Sequence, residues 1–163
     1  LTIAEVNGRA VSEGALLAFC CDFVFASEDA KLGLPDVTQG ALPALAAVVL
    51  PYLTDLPTTR HLLLTGEMLS ANKAEKLGLV YETVSSAELK DYVAAFCQHM
   101  SRRTAGGAVE LTKRLLLDTR NMPLTEAAGF ATKMNAHARN TVEFRLGLKA
   151  RLENTDMEWN QDQ

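Results

Sequence analysis

The fold is decided by one stretch, residues 3–43, with the sequence IAEVNGRAVSEGALLAFCCDFVFASEDAKLGLPDVTQGALP. The pattern predicts, in order, a short strand, a turn at Asn7-Gly8, a buried helix over residues 14–21, a strand over 22–26, and a further strand over 31–34. That last strand ends at Pro35, and the carboxylate of Asp36 follows at once. Loops held between rigid elements often carry catalytic groups, so Asp36 is the first candidate for a catalytic residue.

The chain becomes helical after this stretch. Thr58 or Thr59 is expected to cap a helix that Gly66 stops, and Ser70 to cap the next helix. The remaining elements are predicted as an apolar helix over 45–53, a strand over 79–84, and helices over 89–100, 108–120, 125–138 and 141–153. We therefore divide the chain into an α/β core, residues 1–85, and a helical C-terminal region, residues 86–163.

Composition excludes several classes of protein. The chain has 163 residues, of which 48% are hydrophobic and 22% charged, and a net charge of −4. These values are typical of a globular protein with one core, and the acidic balance argues against nucleic-acid binding. The longest nearly uncharged run, residues 42–53, is too short to span a membrane, so no membrane partner is expected.

The three cysteines are Cys20, Cys21 and Cys97. An odd number, with two of them adjacent in an apolar run, indicates buried reduced thiols and a cytoplasmic protein. Their spacing matches no metal site, and neither do the histidines, so no metal ligands are assigned.

Several motifs in register resemble the crotonase (enoyl-CoA hydratase/isomerase) superfamily. They are Val6-Asn7-Gly8, Ala10, Gly14 and Cys21-Asp22, then residues 26–36 (ASEDAKLGLPD), 64–67 (LTGE) and 70–80 (SANKAEKLGLV). The resemblance implies a spiral of strand-strand-helix repeats followed by an α-helical trimerisation region. It also implies a homotrimer or hexamer and an acyl-CoA thioester as substrate, with no separate cofactor.

In such enzymes two backbone N–H groups hold the thioester oxygen as it becomes an enolate, and a nearby carboxylate moves a proton. The resemblance places the second N–H donor on Glu13, within Ser12-Glu13-Gly14, where the family has three glycines. It places the first catalytic glutamate of hydratases on Leu16, which has no acid–base chemistry, and the second on Asp36. Pro35 and Ala44 would line the substrate pocket with Leu16.

Each assignment has an ordinary structural alternative. Asp36 could be a solvated turn aspartate, and Glu13 a carboxylate at the start of a helix or an acid that compensates for Leu16. Lys149 and Arg151 are candidates to hold the CoA phosphates, although a solvated helix face also explains them. The family's N-terminal third, with the first oxyanion donor, has no counterpart in these residues; a fragment, a short gene and a partner chain all stay open.

The leading hypothesis is therefore one-carboxylate chemistry on an acyl-CoA enolate, with double-bond isomerisation favoured over hydration. Thioester hydrolysis, carbon–carbon hydrolysis and decarboxylation remain alternatives, because a fold does not fix its chemistry. A non-catalytic protein for assembly or acyl-CoA binding is the alternative from another class.

Overall fold

A computed structural model describes residues 1–159 of the protein. The last four residues of the predicted helical region 86–163 lie outside the described residues. The chain forms two compact units, Leu1–Ala95 and Phe96–Gln163, which are treated separately below.

The first unit contains all six strands of the described chain. The strands are β1 (Ile3–Val6), β2 (Arg9–Val11), β3 (Phe23–Ser27), β4 (Lys31–Gly33), β5 (Met68–Ser70) and β6 (Glu82–Val84). The helices are α1 (Glu13–Phe19), α2 (Ala44–Val49), α3 (Leu56–Thr65), α4 (Ala71–Lys76) and the start of α5 (Leu89–Arg103). Two 3-10 turns, Pro35–Gln39 and Leu50–Tyr52, lie on either side of α2.

Two three-stranded sheets organise this unit. One has the parallel order β1-β3-β6, with Ile3 opposite Phe23 and Phe25 opposite Glu82. In the other, β4 lies between β2, which is parallel to it, and β5, which is antiparallel. From β1 to β4 the chain alternates between the sheets, and α1 follows the first pair of strands, as expected for a strand-strand-helix repeat.

A single apolar cluster fills the space between these elements. Leu32 and Leu69, which lie opposite each other on the paired strands β4 and β5, are fully buried. Leu50 and Leu62 from the helical segments are buried as well. Burial of each such side chain contributes about 1.5–3 kcal/mol relative to leaving it in water. The cluster fixes the ends of β2 and β4, which carry the candidate site.

The structure corrects two local predictions in this unit. The helix α3 begins earlier than expected because Asp55, not Thr58 or Thr59, caps it: Asp55 Oδ1 accepts the Thr58 N–H at 2.8 Å. The cysteines are free, but Cys20 is exposed and Cys21 half-buried, so the prediction of buried thiols is wrong for Cys20. Cys20 follows the last residue of α1 and so leaves the buried helix face.

The second unit contains the rest of α5 and the helices α6 (Gly106–Asp118), α7 (Leu124–Ala138) and α8 (Val142–Leu152). Cys97, on α5, is exposed, which again contradicts the predicted burial. The start of α6 is held by a hydrogen bond from the Gly107 N–H to Glu143 Oε1 on α8, at 3.1 Å. Among residues 1–159, no helix is both long enough and apolar enough to cross a membrane.

Candidate active site

A small cleft lies where β2 runs into α1 and where the 3-10 turn that carries Asp36 begins. We call it the Asp36 cleft. It is lined by Ser12, Glu13, Leu16, Leu34, Asp36, Pro43, Ala44, Leu45 and Ala46. Its volume is about 20 Å³, which exceeds the space that one water molecule needs. It therefore has room for reacting atoms rather than for a whole acyl chain.

The backbone at Ser12 has an unusual conformation. Ser12 is the single residue between β2 and α1, with φ 52° and ψ −123°. This combination resembles the first central position of a type II′ turn, which glycine favours because it lacks a Cβ atom. A serine held there stores strain on the order of 1–3 kcal/mol, and such residues cluster at functional sites.

Two hydrogen bonds hold Ser12 in this conformation. Its N–H donates to the carbonyl oxygen of Gly33 at 2.9 Å, and its hydroxyl donates to Asp36 Oδ2 at 3.0 Å. The parallel pairing of β2 and β4, with Val11 opposite Gly33, makes both bonds possible. The residues that follow the two strands therefore meet at one edge of the sheet.

The wall behind this pair is apolar. Leu16 is 7% exposed and Leu34 is 1% exposed, and both lie beside half-buried Asp36 in the cleft. Pro43, also buried, lies between the Asp36 turn and α2. A charge that develops against this buried side of the cleft would be screened less by water than a charge in open solution.

Most of the residues predicted for the site come together here. Asp36, Glu13, Leu16 and Ala44 all line the cleft. Pro35 is not among the lining residues; its Cα instead lies close to Gly66, at 3.1 Å from the position a Cβ would take.

The two predicted CoA-phosphate residues lie in the second unit. Lys149 and Arg151 are both exposed on α8, and Lys149 forms a long ion pair with Glu153, at 4.0 Å. Their part in phosphate binding stays a prediction.

Ser12 is the site residue that the sequence interpretation did not assign. Ser12 occupies the first position of the altered glycine triplet, whereas the resemblance assigns a role only to the second position, Glu13. The available signal was a hydroxyl residue between a strand and a helix, a position that commonly caps a helix. Here the side chain makes no capping bond to the helix and turns to Asp36 instead.

No cluster of three or more His, Cys, Asp or Glu residues that could hold a metal ion occurs among residues 1–159. Two of the residues that line the Asp36 cleft, Asp36 and Glu13, carry carboxylates. Its chemistry on the described residues is therefore that of carboxylates, one hydroxyl and backbone N–H groups.

Comparison with known proteins identifies the family of the chain. The family model for enoyl-CoA hydratase/isomerase matches residues 1–162. The chain belongs to the enoyl-CoA hydratase/isomerase family, which is part of the crotonase superfamily. The predicted α/β crotonase fold, with its helical C-terminal region, is thereby confirmed.

Individual relatives agree with this assignment. The chain is 35% identical to a putative enoyl-CoA hydratase of Thermus thermophilus and 32% identical to the (E)-benzylidenesuccinyl-CoA hydratase of Thauera aromatica. Each match covers 91% of this chain and 58% of the relative. A probable enoyl-CoA hydratase/isomerase from Mycobacterium abscessus has a similar structure, with a TM-score of 0.87 and 29% identity over 96% of this chain and 62% of that one. The chain therefore spans less than two thirds of these relatives.

Proposed function

We propose that the protein acts on an acyl-CoA thioester through an oxyanion-stabilised enolate, with Asp36 as the group that moves the proton. Family membership supports the thioester substrate, since the relatives' names include CoA hydratases. The observation that carries the proposal is the position of Asp36: it is half-buried in the same cleft as Leu16, Leu34 and Glu13, the predicted oxyanion donor.

The proton transfer needs only one carboxylate. Asp36 takes a proton from the carbon alpha to the thioester carbonyl of a 3-enoyl-CoA, and the electron pair moves onto the carbonyl oxygen. Asp36 then returns the proton to the gamma carbon, so that the double bond moves to the 2,3 position. A positioned acid–base group of this kind contributes about 10²–10⁴-fold to the rate.

The negative charge on the enolate oxygen needs a hydrogen-bond donor. Glu13 is the first residue of α1, so its N–H has no acceptor in a preceding helical turn. The strained Ser12 conformation sets the direction of the peptide group that carries this N–H. Removing one such donor from an oxyanion site commonly costs about 10²–10³-fold in turnover.

Isomerisation fits this cleft better than hydration because Leu16, where hydratases have a glutamate, presents only an apolar surface. One observation favours hydration as a second candidate: Glu13, which carries a carboxylate, is among the residues that line the cleft. Its carboxylate could then activate water in place of the missing glutamate. Glu13→Gln separates the two, because it keeps the backbone N–H and removes only the carboxylate.

We further propose that Lys149 and Arg151 bind the CoA phosphates and that the protein assembles as a homotrimer or hexamer. Exposed leucines on the helices of the second unit support assembly: Leu116, Leu117 and Leu124 are 70%, 68% and 85% exposed. Large apolar side chains exposed together are typical of contact surfaces. Light scattering on the complete protein gives the oligomeric state directly.

The test is an assay of the complete protein on 3-enoyl-CoA and on crotonyl-CoA. The proposal predicts faster migration of the double bond than addition of water. Asp36→Asn should lower turnover by about 10²–10⁴-fold. Asp29→Asn is the matched control, since Asp29 also accepts a serine hydroxyl bond, from Ser86 at 2.6 Å, but lies outside the cleft.

The non-catalytic alternative makes a different prediction. Calorimetric titration with CoA and an acyl-CoA would show binding, while no turnover would accompany it. Turnover that depends on Asp36 would exclude this alternative.

A further inference from the structure

We propose that Ser12 is a catalytic nucleophile, and that the Asp36 cleft hydrolyses a thioester through a covalent acyl-serine intermediate. The choice of an acyl thioester as substrate rests on the function proposed above. The assignment of Ser12 does not, because it comes from the geometry of three neighbouring groups: the serine, its carboxylate partner and the N–H that follows it.

The backbone of Ser12 is that of a serine presented on a sharp turn. The residue lies between the end of β2 and the start of α1, with φ 52° and ψ −123°. In hydrolases with a nucleophile elbow, a strained strand-to-helix turn exposes the serine hydroxyl at the edge of the sheet in the same way. In those enzymes, the N–H of the residue after the serine forms part of the oxyanion hole. Here that residue is Glu13, which also lines the cleft.

The hydroxyl of Ser12 has a base within reach. Its Oγ donates to Asp36 Oδ2 at 3.0 Å in a partly buried position, and 2.6–3.2 Å is the usual distance between a nucleophile and its base. Ser86 and Asp29 form a comparable hydroxyl–carboxylate bond at 2.6 Å. However, Ser86 is exposed and has an ordinary backbone conformation. Among the hydroxyl–carboxylate pairs of residues 1–159, only that of Ser12 and Asp36 combines the bond with a strained turn and the cleft.

The reaction balances with water as the co-reactant. Ser12 Oγ bonds to the thioester carbonyl carbon while its proton passes to Asp36, and the carbon–sulfur bond breaks. Asp36 then gives the proton to the departing sulfur, which leaves as the CoA thiol. A water molecule attacks the acyl-serine ester, its proton passes through Asp36 to Ser12 Oγ, and the carboxylic acid is released.

The experiment uses the complete protein and two probes. A fluorophosphonate, which reacts with activated serines, tests the nucleophile without any assumption about the substrate. An acyl-CoA tests the reaction through release of free CoA and through the intact mass of the protein. Ser12→Ala is compared with Ser86→Ala, which removes the bond between Ser86 and Asp29 and should label and turn over as the wild type does.

The proposal predicts an adduct on the peptide that contains Ser12, and a loss of labelling and of CoA release by about 100-fold or more in Ser12→Ala. Wild-type protein that carries no adduct on Ser12 from either probe would overturn it, as would Ser12→Ala that releases CoA at the wild-type rate. If double-bond migration proceeds while no adduct forms, the assignment of Ser12 as a nucleophile is wrong and the proposed isomerase activity stands. If an adduct forms on Ser12 but Asp36→Asn still moves the double bond at the wild-type rate, the role of Ser12 as a nucleophile stands and the proposed role of Asp36 in isomerisation is wrong.

Discussion

The hydroxyl oxygen of Ser12 lies 3.0 Å from Oδ2 of Asp36, although 24 residues separate the two along the chain. The parallel pairing of β2 with β4 explains this contact, because each residue lies just beyond the carboxyl end of its strand. In open α/β sheets, ligands bind at this end of the strands. The pair therefore connects the fold of the chain to the chemistry proposed for the cleft.

The first prediction concerns the strain at Ser12. Ser12→Gly and Ser12→Ala both lose the hydrogen bond to Asp36, but only glycine adopts φ 52° without strain. We expect Ser12→Gly to be more stable than Ser12→Ala by about 1 kcal/mol. Urea unfolding of the two variants measures the difference. Equal stabilities, or a more stable alanine variant, would show that this turn is not strained.

The second prediction concerns the support of the Asp36 turn. Gly66 and Gly78 both have positive φ, at 66° and 73°. A Cβ on Gly66 would approach Thr38 Cγ2 to 2.7 Å and Pro35 Cα to 3.1 Å, whereas a Cβ on Gly78 meets nothing within 4 Å. Gly66→Ala should therefore be less stable than Gly78→Ala by about 1–3 kcal/mol, the usual cost of overpacking.

Activity gives a second readout for the same pair. Because Pro35 precedes Asp36, displacement of Pro35 should also reduce turnover of an acyl-CoA in Gly66→Ala, while Gly78→Ala keeps it. Two variants with equal stability and equal turnover would contradict the proposed contact.

The third prediction concerns pH and the Glu67 side chain. Lys73 Nζ donates to Glu67 Oε1 at 2.7 Å, and this bond, followed by the bond to His61, lowers the pKa of Glu67 below its ordinary value of 4.5. A lowered pKa means that the charged form stabilises the folded state above the ordinary pKa, and that this contribution disappears as the pH falls through the folded-state pKa. The melting temperatures of wild type and Glu67→Gln should thus differ most near neutral pH and converge in acid. Since the group is exposed, salt should reduce the difference as well. A difference that is the same at pH 3 and pH 7 would refute this.

The sequence predicted the longer elements well because their signals are local. Gly66 ends α3 where it was expected, and Ser70 caps α4 through the Lys73 N–H. The strands β2 and β5 were missed because they are defined by hydrogen bonds to distant parts of the chain and not by a local pattern. Their pairing partners lie far away in the chain: Arg9 pairs with Lys31, and Lys31 with Ser70.

Only the site residues that occupy motif positions of the family could be predicted from the sequence. Asp36, Glu13 and Leu16 could be placed by resemblance, and the fold brings them to one cleft. The bond between Ser12 and Asp36 depends on a backbone conformation that serine rarely adopts and on the register between two strands. Neither leaves a local pattern in the sequence, so both had to come from the structure.

The proposed function requires Asp36 to remove a proton from the carbon alpha to the thioester carbonyl. The most direct measurement is incorporation of deuterium at that carbon when an acyl-CoA is incubated with the complete protein in heavy water. We expect exchange by the wild type and by Asp29→Asn, and a loss of about 10²–10⁴-fold in Asp36→Asn. Exchange by Asp36→Asn at the wild-type rate would contradict it.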